Sequence, residues 1–489
     1  MSFSEYLSSY IKENDISLPK LAKQIGIDRV TLFRYTTGDR KPANETIVRN
    51  IANVLCMSAK EKDILLEEYD KTVMGEEIVN SYKYMCKMMN NLADVNDFLN
   101  PKYSFQKDSD TSSFTQNDDS TIIQSQQAIL SYIVRMLYNA AKSDSPHERI
   151  MIIMQPTQTK VQEMLIPLLS GADVTVDQII CFEKNIEKSY LNLEALENIV
   201  TQSFALKNYN VYYHYEVLST FLSSAALLPN VIIAGGCLVT FNSDMTRGFF
   251  SRYPKIIEFL TGEFDSICKK CSMLIDQANY AEDVGTLNLV LASKTVGTLF
   301  DQPCIAPCCD KKSLEETIYD FPAKQGLIEA LIKQNGDWND YVHTKGEMYV
   351  EKIISCCSKS GIEAILKTGR IGEFPELCYA PLSYEFRLKI LKRMVILQKE
   401  GIVSYIIIKE PINLLKNMQC YWTPDDIIVS FRSIRKDSIL QISMREASIL
   451  NTVSNFMEYI KNKNMILSEE EVIAYLEDLI HKAENNYFW

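Results

Sequence analysis

Apolar positions at the start of the chain recur at three- and four-residue spacing, in runs that fit only short helices. Phe3, Leu7, Tyr10 and Ile11 form one stripe. Leu21, Ala22 and Ile25 form a second, with Ser17 as N-cap and Pro19 in the first turn. Gly26 is the expected stop, because the left-handed residue after a helix is least strained as glycine. Asp28 then caps a third helix running to about Thr37. On it Leu32 and Tyr35 face inward beside Ile27, and Arg29, Val30, Phe33 and Arg34 face out. Gly38 ends that helix, and Asp39-Arg40-Lys41-Pro42 makes a basic turn. Asn44 caps a fourth helix with the stripe Ile47, Ile51, Val54 and Leu55. Ala59–Tyr69 and Glu76–Leu92 continue as helices. The second, with Met85, Met88 and Met89, is expected to be a packed connector or dimer helix.

The pattern then breaks. Asn100–Thr121 is rich in Ser, Asp, Asn and Gln and lacks apolar periodicity, which predicts a linker or long loop. Beyond it, helical stretches (Ala128–Ala141, Lys160–Leu169, Leu193–Phe204) alternate with apolar runs (Arg149–Pro156, Val174–Glu183, Asn210–Val217, Asn230–Phe241). A helix from Tyr253 to Ile275 follows. Such alternation predicts one α/β domain over 122–280 with a mainly parallel sheet. Gly235 and Gly236 inside the fourth run predict a bulge or a close backbone approach. From Tyr280 the chain is expected to be mostly helical to about Gln398. Four strand-like runs follow (Val403–Lys409, Met418–Trp422, Asp426–Phe431, Ile439–Met444), then helices Glu446–Lys461 and Ser468–Glu484. Ser468 and Glu471 form a capping box for the last.

Two short helices joined by a glycine-containing turn are the hairpin that reads duplex DNA, the second helix entering the major groove. The segment LAKQIGIDRVTLFRYTTGDRKP followed by IVRNIANVL resembles the Cro/repressor-type, or Xre, helix-turn-helix family. The matching positions are Leu21-Ala22, Gly26, Thr31 and Gly38 to Pro42. Leu18 stands where the family often has Gln, and Thr36-Thr37 where it often has Glu. The resemblance covers residues 1–70 and implies a DNA-binding transcriptional regulator.

Charge agrees with that reading. Residues 1–60 carry nine basic and six acidic side chains, against a net charge of −12 for the whole chain. A basic head on an acidic body confines phosphate contact to the head. Arg29, at the start of the reading helix, can reach guanine edges, and Val30 and Phe33 can meet a thymine methyl. Thr31 lies on the same helix. Arg34, Thr37, Arg40 and Lys41 suit backbone phosphates, which position without specifying.

The 489 residues predict several domains, and 46% hydrophobic with 23% charged residues is ordinary globular composition. No apolar run has membrane-spanning length, and the N-terminus is not a secretion signal, so a cytoplasmic location without membrane association is expected. Thirteen Cys in such a chain imply reduced thiols. Catalytic signals are few. The four His (His147, His214, His343, His481) lie in no triad context, and GGC at 235–237 is not a phosphate loop. His343-Thr344-Lys345 is like the His-x-Lys start of phospholipase-D-type motifs, but Val350 stands where the Asp belongs, and it is read as coincidence. Cys268-x-x-Cys271 with Cys304, Cys308 and Cys309 lacks the spacing of a known metal family.

The expected fold class is multi-domain: an all-α helix-turn-helix head (1–70), a helical connector and polar linker (71–121), an α/β sensor or dimerisation domain (122–280) and a C-terminal α/β or α+β domain (281–489). The expected function is a non-enzymatic, sequence-specific bacterial regulator. It would bind double-stranded DNA as a homodimer, hold no cofactor or metal, and sense a small-molecule or peptide effector. The strand ends around Gln155, Phe182, Tyr215 and Phe241 are the expected pocket. The alternatives are a peptide sensor with a helical-repeat body and an enzyme carrying a DNA-binding tether.

Overall fold

A computed structural model describes residues 1–93, 119–143, 148–156, 159–217, 228–279, 297–309, 311–320, 324, 328, 353–372, 379–409, 412–423, 426–435 and 438–485. The chain divides into two compact units. One comprises 1–85 with 451–463, the other 86–450 with 464–489.

The first unit is helical among its described residues. Its elements are α1 (Phe3–Glu13), α2 (Leu18–Ile25), α3 (Arg29–Thr37), α4 (Glu45–Val54), α5 (Ala59–Met74) and the start of α6 (Glu76–Leu92). Ser2 and Ser58 open α1 and α5 with capping boxes, and Asn44 caps α4 through the Ile47 amide. Ser17 precedes α2 as expected but its hydroxyl makes no capping bond. One apolar core joins these helices: Phe3, Leu7 and Ile11 of α1, Leu21 and Ala22 of α2, Leu32 and Tyr35 of α3, and Leu65 and Tyr69 of α5. The buried stripe of α4 is Val48, Ile51 and Ala52, with Leu55 after it. The expected Ile47 and Val54 are only half-buried. The apolar set is wide enough for two neighbouring faces, and tertiary packing selects between them.

Residues 451–463 reach this unit from the far end of the chain. They belong to a helix whose first residues, 447–450, group with the second unit. Tyr82 stacks on Tyr459 at 4.1 Å and on Phe456 at 5.9 Å, and Asn455 Nδ2 donates to Ser81 Oγ.

The second unit holds two mixed sheets. The first runs in order β1-β7-β6-β5-β2-β3-β4-β8. Its strands are β1 (Ser120–Ile123), β2 (Glu148–Ile153), β3 (Val174–Glu183), β4 (Asn208–Glu216), β5 (Asn230–Ala234), β6 (Cys237–Phe241), β7 (Gly248–Ser251) and β8 (Ser272–Met273). The helices between them are α7 (Gln126–Ala141), α8 (Thr159–Leu169), α9 (Asn192–Ala205) and α10 (Pro254–Cys268). The second sheet runs β12-β11-β10-β13-β14-β15-β9. It comprises β9 (Ile275–Asn279), β10 (Gly297–Phe300), β11 (Ile353–Ser358), β12 (Val403–Ile408), β13 (Met418–Trp422), β14 (Ile427–Arg435) and β15 (Ser438–Arg445). Helices α11 (Lys311–Thr317), α12 (Lys359–Thr368), α13 (Tyr384–Lys399) and α15 (Glu469–Glu484) accompany it, and α14 (Ala447–Asn462) gives this unit only its first residues, 447–450.

The two sheets repeat one plan. In each, three parallel strands (β4-β3-β2; β12-β11-β10) are extended on one side by four antiparallel ones (β5-β6-β7-β1; β13-β14-β15-β9), and the first sheet adds the short antiparallel β8 beyond β4. Helices link the parallel strands because a parallel pair needs a crossover too long for a hairpin.

Two expectations are corrected here. The first sheet is not mainly parallel: only β2–β3 and β3–β4 are parallel pairs. The run Asn230–Phe241 is two strands, not one. Gly235 and Gly236, at φ +56° and +67°, form the two-residue turn of a hairpin pairing Ala234 with Cys237. A double glycine permits the left-handed turn that matches strand twist. From Tyr280 to Gln398 helix predominates among the described residues, as expected, and the sequence missed only β10 and β11 within that stretch. These short strands are buried and carry no alternation to mark them.

Across the central β2–β3 pair of the first sheet, Arg149 donates to Asp177 (2.6 Å) and Asp265 (2.8 Å) while lying over the Phe264 ring. No helix among the described residues is long and apolar enough to cross a membrane.

A Cβ at Gly235 would sit 3.4 Å from the Met136 carbonyl oxygen, on a backbone that side chains rarely adopt. Gly235→Val is therefore expected to cost about 1–3 kcal/mol in urea unfolding, and Gly235→Asn less. Equal stability of Gly235→Val and the native chain would contradict the hairpin.

Candidate nucleic-acid interface

Helix α3 is bounded by two left-handed glycines, Gly26 at φ +81° and Gly38 at φ +84°. Gly26 closes α2 through its amide to the Ala22 carbonyl, and Ile27 N donates to the same oxygen. The chain therefore turns sharply, and Asp28 starts α3 two residues later. Asp28 accepts from the Thr31 amide at 2.8 Å and from the Thr31 hydroxyl at 2.5 Å. The Thr31 side chain and then its amide hold the Asp28 carboxyl below its usual range. This cap is thus present above the ordinary carboxylate range and is lost only as pH falls through the lowered value.

Leu32 is fully buried and Tyr35 nearly so. With helical spacing this sends Arg29, Val30, Phe33, Arg34 and Thr37 to the opposite face, where all are exposed. Val30 is 58% and Phe33 52% exposed. Two large apolar side chains uncovered side by side on one basic helix are unlike a solvated surface, which scatters such residues singly. Arg40 and Lys41 are exposed on the turn after Gly38.

Five of the sequence-derived residues thus share the outward face of α3, Arg40 and Lys41 lie on the turn beyond it, and two threonines need separate treatment. Thr31 is half-buried and its hydroxyl is engaged by Asp28, so it is a capping residue in this structure. The Thr37 hydroxyl donates to Asp39 at 2.6 Å. That leaves Arg29, Val30, Phe33, Arg34, Arg40 and Lys41 presenting their functional atoms outward.

The back of the basic turn carries residues that the sequence did not single out. Tyr69, buried on α5, donates its hydroxyl to the Pro42 carbonyl at 3.2 Å. Glu45, first residue of α4, shares its carboxylate between Arg49 and Lys463. Burial acts to raise the Glu45 carboxyl, but Lys463 and Arg49 outweigh it and hold it below its usual range. Lys463 also bonds both oxygens of Asp70, at 2.9 and 3.0 Å, and Tyr459 donates to Asp70 at 3.3 Å. Asp70 and Lys463 stand 393 positions apart, which no local pattern can reveal.

In the second unit, Gln155, Phe182, Tyr215 and Phe241 lie at strand ends of the first sheet. Phe182 and Phe241 are fully buried, and buried Gln155 donates to the Cys181 carbonyl. These three are core rather than pocket lining. Tyr215 is partly exposed and bonds the carboxylate of buried Glu446. Cys268 ends α10 and Cys271 lies in the turn beyond it, not within a helix as expected. They pack in one apolar cluster, whereas Cys304, Cys308 and Cys309 are buried in another. No group of three or more His, Cys, Asp or Glu among the described residues is placed to hold a metal ion. His147, His343, Lys345 and Val350 lie outside the described residues.

No family model matches the chain, and no curated protein matches it. Among solved structures, the chain is similar to a phosphatidylserine synthase of Haemophilus influenzae Rd KW20 at 8% identity and a TM-score of 0.22, covering 76% of this chain and 95% of that one. It is similar to a polyphosphate kinase from Porphyromonas gingivalis at 11% identity and a TM-score of 0.21, covering 75% of this chain and 56% of that one. Likenesses this slight carry no conclusion about fold or function.

The two faces of α3 predict opposite mutational costs. Leu32→Ala should lose about 2–5 kcal/mol in urea unfolding. Phe33→Ala should change stability by less than about 0.5 kcal/mol. A large loss for Phe33→Ala would mean that the ring is packed, and the exposed face would not exist.

Proposed function

We propose that this chain is a sequence-specific DNA-binding regulator of the Cro/repressor helix-turn-helix type. Helices α2 and α3 would be the reading hairpin, within an all-α head. The observation that carries the reading is the outward face of α3, with Arg29, Val30, Phe33 and Arg34 uncovered opposite buried Leu32 and Tyr35. A basic helix of nine residues with two exposed apolar side chains matches a major groove lined with phosphates at its rims and thymine methyls on its floor. Arg29 would read base edges, and Val30 and Phe33 would meet methyl groups. Arg34, Arg40 and Lys41 would grip the backbone. Thr31 and Thr37 would act indirectly, by shaping the ends of α3.

The second unit would be the sensing and dimerising body, working in the cytoplasm on a small-molecule or peptide effector. A homodimer would place two heads about one helical turn of DNA apart. Helix α14 supports coupling of body to head, because one continuous helix contributes its first residues to one unit and the rest to the other. A peptide sensor built from helical repeats is disfavoured by the two mixed sheets.

The reading is tested by selecting bound fragments from a pool of bacterial genomic DNA. The native chain is expected to enrich a two-half-site sequence, and an Arg29→Ala, Arg34→Ala variant to lose that enrichment. Binding of the selected duplex should weaken steeply with salt, by about 10³-fold or more between 50 and 200 mM for six or more phosphate contacts. Equal enrichment by the variant would overturn the proposal.

A further inference from the structure

Arg40 and Lys41 sit on a turn that has no regular structure of its own, between Gly38 and the start of α4. A phosphate contact fixes register only if the backbone bearing it is fixed. The fastening of this turn can be traced bond by bond. At its leading end, a Cβ on Gly38 would come within 3.1 Å of Ser4 Oγ, so the backbone there lies close against α1. At its middle, the Pro42 carbonyl accepts from Tyr69. At its trailing end stands Glu45, whose carboxylate has two cationic partners.

Those two partners are not equivalent. Arg49 lies four residues along the same helix, so its bond moves with α4 and cannot fix α4 against anything else. Lys463 comes from beyond the end of α14 and is anchored on both oxygens of Asp70, the residue next to Tyr69 on α5. Asp70 is itself buried, and Tyr459 of α14 bonds it as well. Tyr69 and Asp70 thus hold the turn at successive points, one directly and one through the lysine.

We infer that Lys463 is a positioning residue for DNA contact: by joining Glu45 to Asp70 it fixes the turn bearing Arg40 and Lys41, so that residues 451–463 are a working part of the head. The inference rests on the DNA-binding reading of α3. Lys463 touches no nucleic acid itself. Its methylene stem is largely enclosed, and its ammonium group meets three carboxylate oxygens of two residues. Lys463→Arg keeps the charge and the donors, whereas Lys463→Met keeps the length and loses both.

The test uses the full chain with the duplex selected by the native protein and an unrelated duplex of equal length. All measurements are made well below the melting temperature of each variant. Lys463→Met is expected to lose about tenfold in affinity for the selected duplex, the scale of one hydrogen bond to a charged group. Its affinity for the unrelated duplex should stay within about twofold, because non-specific binding needs phosphates but not register. Lys463→Arg should recover most of the loss. Glu45→Gln should reproduce it, with no further loss in the double variant, as expected for two members of one bond. A purely structural lysine would lower the melting temperature and leave the affinity ratio untouched, and that result would overturn the inference. Hydrogen exchange without DNA separates this failure from failure of the DNA reading. Amides 38–46 should exchange faster in Lys463→Met while those of the Asn230–Phe241 hairpin stay unchanged. Unchanged exchange at 38–46 would overturn the inference whether or not a duplex is found.

Discussion

Burial of Leu32 and Tyr35 is the constraint on which the exposed face of α3 depends. Both lie on the inner face of a nine-residue helix, in a core shared with α1, α2, α4 and α5. Because the helix has 3.6 residues per turn, seating these two side chains leaves Val30 and Phe33 no buried position. The glycines at either end keep the helix short, and Asp28 sets where it begins. Exposure of two apolar residues has a cost in water. Here it follows from the same geometry that packs the core, and a hydrophobic base edge in a groove would relieve it.

The body obeys a different economy. Each sheet starts from three parallel strands that require helical crossovers and ends in antiparallel strands that require only turns. Many polar groups taken into this interior are paired, whereas the buried hydroxyls of Thr240 and Thr298 have no hydrogen-bond partner among the described residues. Arg149 is held between Asp177 and Asp265, and Ser358 donates to Asp301. Glu446, whose carboxyl burial raises above its usual range despite the Ser448 and Ile449 donors, begins α14 from within the body. The helix that starts there carries Tyr459 towards Asp70, and Lys463 follows just past its end.

Legibility followed the range of the forces involved. Asp28, Asn44, Gly26 and Gly38 act within a few residues, and their helices stand where the sequence puts them. The orientation of Leu32 against Phe33 was equally readable, because it needs only a helical period. Val48 replaced Ile47 in the core because tertiary packing, not periodicity, picks between adjacent apolar faces. The hairpin at Gly235-Gly236 did carry a local signal, a double glycine between two apolar runs, which reads as a two-residue turn. The strands Gly297–Phe300 and Ile353–Ser358 carried none, being short and buried on both sides. Lys463 and Asp70 meet only in the folded chain, so nothing near either residue in sequence marks the bond.

The most direct test of the central claim is hydrogen exchange of the full chain with and without a duplex it has selected. Protection concentrated in peptides covering residues 28–46, with little change across 119–279, is the expected result. Protection confined to the sheets of the second unit, with 28–46 exchanging as in the free chain, would contradict it.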